Sequence, residues 1–129
     1  MPEKIPVSVL TEGIKDLTPL EQWGKHLAIN ETQKQVSTSQ IRKFFGSIKK
    51  IQASFDKSKT EILLLEPKLA YAVGRDYDKS KNTQKTKIKD LYNLLSPLIR
   101  DINEDKARFN NFVTIVEAIV AYHKAAGGE

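Results

Sequence analysis

Between positions 41 and 55 the apolar residues Ile41, Phe44, Ile48, Ile51 and Phe55 recur at intervals of three and four. That spacing gathers side chains on one side of an α-helix. The same rhythm returns in Ile88, Leu91, Tyr92, Leu95, Leu98, Ile99 and Ile102, and again in Phe109, Phe112, Val113, Val116, Ile119, Val120 and His123. Nowhere does the chain show the period-two alternation of a half-buried strand. The pattern predicts an all-α fold, a compact bundle of about four long helices plus a short N-terminal helix. With 129 residues, the chain is long enough to bury one core without covalent staples.

Punctuation residues set the expected boundaries. Thr18, Pro19 and Glu21 form a helix-start signature and predict a short helix over 19–28, anchored by Trp23 with Leu20 or Leu27. The polar stretch NETQKQ reads as a flexible connector. Residues 1–35 are therefore expected to be a partly flexible N-terminal segment, and 36–129 a helical-bundle domain. Ser37 with Gln40 marks a second capping box, opening a helix that runs to about Lys57. Residues 59–76 are apolar on nearly every side and are expected to form the central helix, kinked at Pro67. A mobile lysine-rich loop is expected over 77–84, and Ser96-Pro97 is expected to kink or restart the following helix. The last helix is placed at 104–126, stopped by Gly127-Gly128. Val120, Ala121 and Tyr122 widen its apolar arc beyond what one core needs, which suits contact with other subunits.

The net charge of +5 is unevenly distributed. Residues 36–60 hold six cations against one anion and residues 81–89 four against none, whereas 90–105 hold one cation against four anions. Concentrated positive charge suits a polyanion, of which nucleic acid is the commonest. On the second helix Arg42, Gly46, Lys49, Lys50, Ala53 and Lys57 form a stripe almost opposite the aromatic face. Its small residues let a phosphate backbone approach while the cations straddle it. Gly46 in mid-helix costs about 1 kcal/mol relative to alanine, a cost that close approach by a helix or a ligand explains. Lys68, Tyr71 and Arg75, in PKLAYAVGRD, also share one side of a helix. Rim packing over Leu64 with a half-buried ring accounts for them, and so does a grip on a sugar-phosphate backbone. Asp76 and Asp78 are placed to neutralise Arg75 locally.

Several functions are disfavoured. The chain has no cysteine, which excludes disulfides, thiolate metal sites and a cysteine nucleophile, and fits a reducing cytoplasm. The apolar run in MPEKIPVSVLTEG is too short for a signal peptide or a membrane span. His26 and His123 stand at opposite ends of the chain and read as core or interface residues. Asp101, Glu104 and Asp105, beside Lys106 and Arg108, read as helix caps and dipole partners. No glycine-rich phosphate loop, paired-acid motif or metal-ligand spacing is present. The expectation is a soluble, cytoplasmic protein without catalytic residues, cofactor or metal.

The segments STSQIRKFFGSIKKIQ, LLEPKLAYAVGRD and FNNFVTIVEAIVAYHKAAGG resemble, in order and spacing, the small subunit of type III-A CRISPR-Cas effector complexes, the Csm complexes. The likeness covers most of residues 36–128. It implies a small non-catalytic helical bundle, several copies of which stack as an inner filament beside the backbone subunits. Such subunits line the groove in which CRISPR RNA and target RNA pair, touching sugar-phosphate without reading sequence. The implied partners are both RNAs, the backbone and large subunits, and other copies of the chain, with a homodimer open to the isolated protein. RNA contact carries over to Arg42, Lys49, Lys50, Lys68, Tyr71 and Arg75. Lys124 is a weaker candidate, and the lysines from Lys79 to Lys89 supply general attraction. A purely architectural adaptor that touches only protein is the alternative.

Overall fold

In the computed structural model, which describes residues 1–129, the periodic stretches become seven α-helices. These are α1 (Val9–Glu12), α2 (Thr18–Ala28), α3 (Thr38–Ala53), α4 (Phe55–Ser58), α5 (Leu65–Asp76), α6 (Ile88–Arg100) and α7 (Lys106–Ala125). A 3-10 segment, Lys59–Leu64, joins α4 to α5. The chain is mostly helical, as its apolar rhythm predicts. One antiparallel hairpin, β1 (Tyr77–Asp78) with β2 (Thr83–Gln84), occupies the stretch expected to be a mobile loop, pairing Tyr77 with Gln84 and Asp78 with Thr83. Its tip is an Asx turn: the Asp78 carboxylate accepts from the Ser80 N–H at 3.0 Å and the Ser80 hydroxyl at 2.7 Å.

The predicted capping box opens α3. The Ser37 hydroxyl accepts from the Gln40 N–H (3.1 Å), and the Gln40 side chain accepts from the Ser37 N–H (3.0 Å). Helix α2 is capped differently from the prediction. It starts at Thr18, whose N–H donates to the Asp16 carboxylate at 3.0 Å, so Asp16 does the work assigned to Thr18 and Glu21. Asp105 caps α7 by accepting from the Arg108 N–H at 2.9 Å.

The central helix is α7, not residues 59–76. Phe109, Phe112, Val113, Ile115, Val116 and Ile119 are buried along it, and α1, α2 and α3 all pack against it. Residues 59–76 miss that position because the chain leaves helical geometry at Ser54 (φ −139°, ψ 53°). Phe55 then turns inward to meet Phe109, their ring centres 5.7 Å apart. Ile62, Leu65 and Leu69 reach the core, while Leu63 and Leu64 stay 57% and 53% exposed. Pro67 sits in the first turn of α5, where a helix has no intrahelical use for the missing N–H. The proline is therefore accommodated in the opening turn of the helix. Pro97 lies inside α6, which neither stops nor restarts at Ser96.

Much of the wide apolar arc of α7 is taken up within the chain, with Ala121 left exposed. At Gly24 the two helices come so close that an added Cβ would lie 2.4 Å from the Tyr122 Cβ and 2.8 Å from the His123 backbone nitrogen. Tyr122 and Val120 pack against the core. His123 is 1% exposed, and its Nε2 donates to the Val36 carbonyl at 2.6 Å. Beyond it a Schellman motif ends the helix: Gly128 N–H donates to the His123 carbonyl (2.9 Å) and Gly127 N–H to that of Lys124 (3.1 Å), with Gly127 at φ +96°.

One hydrophobic cluster runs through both sides of residue 35, taking in Ile5, Leu10, Leu20, Trp23 and Leu27 together with α3, α5, α6 and α7 residues. Trp23 Nε1 donates to the Glu3 carbonyl at 2.8 Å, and Asn111 donates to that of Leu10 at 2.7 Å. The polar connector is held as well. Lys34 N–H donates to the Lys85 carbonyl, and the Lys34 carbonyl accepts from the Lys87 N–H, both at 2.9 Å.

The two mid-helix glycines should respond oppositely to alanine. Gly24→Ala is expected to lower stability by about 1–3 kcal/mol through overpacking against backbone. Gly46, with nothing within 4 Å of an added Cβ, should gain up to about 1 kcal/mol. Denaturant unfolding of both variants checks the pair.

Candidate functional site

Helices α3 and α5 lie against each other and enclose a groove of about 910 Å³. Gln40, Lys43, Phe44 and Ser47 line it from α3, and Pro67, Lys68, Tyr71, Ala72 and Arg75 from α5; Leu64, Leu69, Asp76, Lys85 and Ile88 complete the lining. The register follows from burial. Leu65 and Leu69 face the core, and Lys68, Tyr71 and Arg75, spaced by three and four, fall on the outer side.

Arg75 and Tyr71 form a pair, the guanidinium carbon 5.8 Å from the ring centre. At that range the cation is attracted to the ring face. The rim-packing account requires a covered Leu64 and a half-buried ring, yet Leu64 is exposed and Tyr71 is 69% exposed. Nor do the neighbouring acids neutralise Arg75. Asp76 is buried and accepts from the Thr86 N–H (2.9 Å) and hydroxyl (3.0 Å), fastening the hairpin to the end of α5. Asp78 is engaged in its own turn, and the Ser80 hydroxyl holds its carboxyl below the usual aspartate value.

The ion pairs of the fold are Lys25–Glu21, His26–Asp90, Lys87–Glu31, Arg100–Glu66 and Arg108–Asp101. None involves Lys43, Lys68, Arg75 or Lys85. The groove thus has an apolar floor from Phe44, Leu69 and Ile88 and a rim of four cations in no salt bridge, with the Asp76 carboxylate in the same lining and Lys85 acting at longer range on Asp78. Both histidines are engaged elsewhere: His123 as described, and His26 Nε2 at 2.8 Å from the Asp90 carboxylate, edge-on to Trp23.

Arg42, Lys49 and Lys50 are exposed on α3 outside the groove. Lys49 donates to Gln52 at 2.8 Å and lies 5.9 Å from the centre of the Phe45 ring. Gly46 beside them meets no neighbouring helix of this chain. Lys50 and Lys43 are separated by only about 20° around the helix, so this stripe borders the α3 wall of the groove. The structure therefore unites Lys68, Tyr71 and Arg75 and adds Lys43, which the sequence reading missed, and Lys85, to which it gave only general attraction. Lys43 falls between the stripe and the core face in angle. Lys85 reaches the groove only because the hairpin folds back on α5.

Glu66 ties the α5 wall to α6. Its carboxylate accepts from the Tyr92 hydroxyl (2.9 Å) and from Arg100 Nε (2.6 Å). The Tyr92 hydrogen bond lowers the Glu66 pKa against an opposing push from desolvation, and Arg100 adds to the lowering. At the far side, the ammonium of the buried Lys87 is shared between the His26 carbonyl and Glu31, and Lys87 lowers the Glu31 pKa.

A family model described as Csm2 Type III-A matches residues 15–129. The chain belongs to that family. The resemblance to the small subunit of type III-A Csm complexes holds, and the match begins ahead of α2, so it extends over a helix that precedes the segments carrying the resemblance. Both walls of the groove lie inside it. No curated protein and no solved structure matches the chain. No helix is long and apolar enough to cross a membrane.

Because the Glu66 carboxyl is lowered in the folded state, its contribution to stability is complete above the unfolded value of about 4.3 and is lost as pH falls through the folded value. Glu66→Gln should remove that part of the acid sensitivity. Unfolding curves of wild type and variant should accordingly converge as pH falls through the acid range.

Proposed function

We propose that this Csm2-family chain is a non-catalytic small subunit that binds the backbone of guide and target RNA without reading sequence and stacks with copies of itself as an inner filament of a cytoplasmic type III-A complex. The observation that carries this reading is the set of unpaired cations around the α3–α5 groove, with the exposed Tyr71 among them. Lysine and arginine left without carboxylate partners on rigid helices are suited to phosphate, because little side-chain order must be imposed at binding. Arg42, Lys49 and Lys50 extend the positive surface along α3, and Gly46 leaves room for a phosphate between them. Sequence-independent contact follows from chemistry that addresses phosphate and ribose alone. The neighbouring backbone and large subunits supply further contacts, so that weak individual affinities combine.

Two triple variants separate the surfaces: Lys43→Ala/Lys68→Ala/Arg75→Ala, and Arg42→Ala/Lys49→Ala/Lys50→Ala. Each should weaken binding to unrelated RNAs and flatten the dependence of log affinity on log salt by about 0.7 per lost phosphate contact on single strands. Melting temperature should hold, since none of these side chains is buried. RNA retention unaltered by both triples inside the assembled complex would replace this reading with the protein-only adaptor. Gly46→Ala adds a finer check: a more stable protein that binds RNA less well.

A further inference from the structure

We propose that the α3–α5 groove holds an unstacked base of single-stranded RNA, with Tyr71 as its stacking platform and Lys43, Lys68, Arg75 and Lys85 on the flanking phosphates. The inference rests on the RNA-binding reading above and narrows its ligand.

A phosphate backbone needs only the cationic rim. It has no use for a concave apolar floor, and the groove has one, built by Phe44, Leu69 and Ile88. Its volume of about 910 Å³ lies within the range of about 300–1,000 Å³ typical of ligand pockets. The lining combines what a nucleotide presents: an apolar planar ring on one side and an anion on the other. In an A-form duplex the base faces are buried in the stack, and such a floor meets only ribose and phosphate. A strand with an unstacked base can use floor, ring and rim together.

The Arg75 guanidinium lies 5.8 Å from the centre of the exposed Tyr71 ring. Tyr71 is far more exposed than the hydrophobic residues beneath it, so it is available to a stacking partner without any rearrangement of the core. Ring and cation, four residues apart, stand one helical turn from each other, giving base and phosphate contacts at adjacent positions. Lys85 is held across from them by its own backbone, which donates to the Asp76 carbonyl at 3.2 Å.

The test uses the full chain with three RNA probes of equal length: an oligouridine strand, the same strand carrying abasic sites, and a blunt duplex. A Tyr71→Trp variant serves as reporter. The single strand should bind about 5- to 150-fold more tightly than the abasic strand, the effect of one stacked base, and should quench the new indole where duplex and abasic strand do not. Tyr71→Ala should erase that preference while leaving the salt slope intact. Equal binding of all three probes, weakened alike in the Lys43→Ala/Lys68→Ala/Arg75→Ala variant and untouched by Tyr71→Ala, would overturn the base pocket and leave the backbone reading standing. Absence of salt-sensitive binding to every probe would remove both.

Discussion

Helices α2 and α7 meet at Gly24 with no room for a side chain between them, and the placement of nearly everything else follows from that contact. It brings the end of α7 beside the end of α2, where Val36 N–H donates to the Leu27 carbonyl at 2.9 Å and the Val36 carbonyl receives His123. Gly128 closes over the histidine ring, which an added Cβ would strike at 2.1 Å, and the next carbonyl, of Glu129, accepts from the Thr38 N–H at 2.7 Å. The start of α3 is thereby fixed from two sides. Since α3 is one wall of the groove, a helix pair remote from the candidate RNA surface determines where that surface stands.

What the sequence made legible was local. A capping box needs only four residues, and the faces of α6 and α7 need only their own spacing, so Ser37 with Gln40 and the buried positions from Ile88 to Ile119 were recognisable before any fold was known. Leu94 and Ile115 escaped because these helices bury a second side, which depends on how many neighbours surround them. The same limit explains residues 59–76. Their composition is as apolar as a central helix requires, but burial is decided by where Ser54 and Phe55 redirect the chain, and two leucines were left outside. Lys68, Tyr71 and Arg75 could be grouped because they share one helix. Lys43 and Lys85 come from segments far apart in the chain, brought together by contacts that no periodicity encodes.

The two positive surfaces differ in kind. On the outer face of α3 the cations stand on a convex helix beside open space at Gly46, a shape that can follow a backbone along its length. Around the groove they surround a concave apolar floor fixed on both walls, by the core beneath α3 and by Glu66 bonding α5 to α6. Side chains mounted on braced helices lose less freedom at binding than side chains on loops. The hairpin takes part in the same bracing through Asp76 and Thr86.

Lys43, Lys68, Arg75 and Lys85 lack ionic partners, and this has a thermodynamic side. Like charges clustered on a rigid frame repel, and a bound polyanion would relieve that repulsion. Any ligand that binds the folded chain in preference to the unfolded one shifts the folding equilibrium toward the native state. The subunit would then be least secure when alone and most secure when incorporated, with the ligand acting in part as a scaffold for its keeper. Surplus copies left outside a complex would be the ones first exposed to unfolding and proteolysis, so under the proposed RNA-binding role the same cations would also couple the lifetime of the subunit to its assembly.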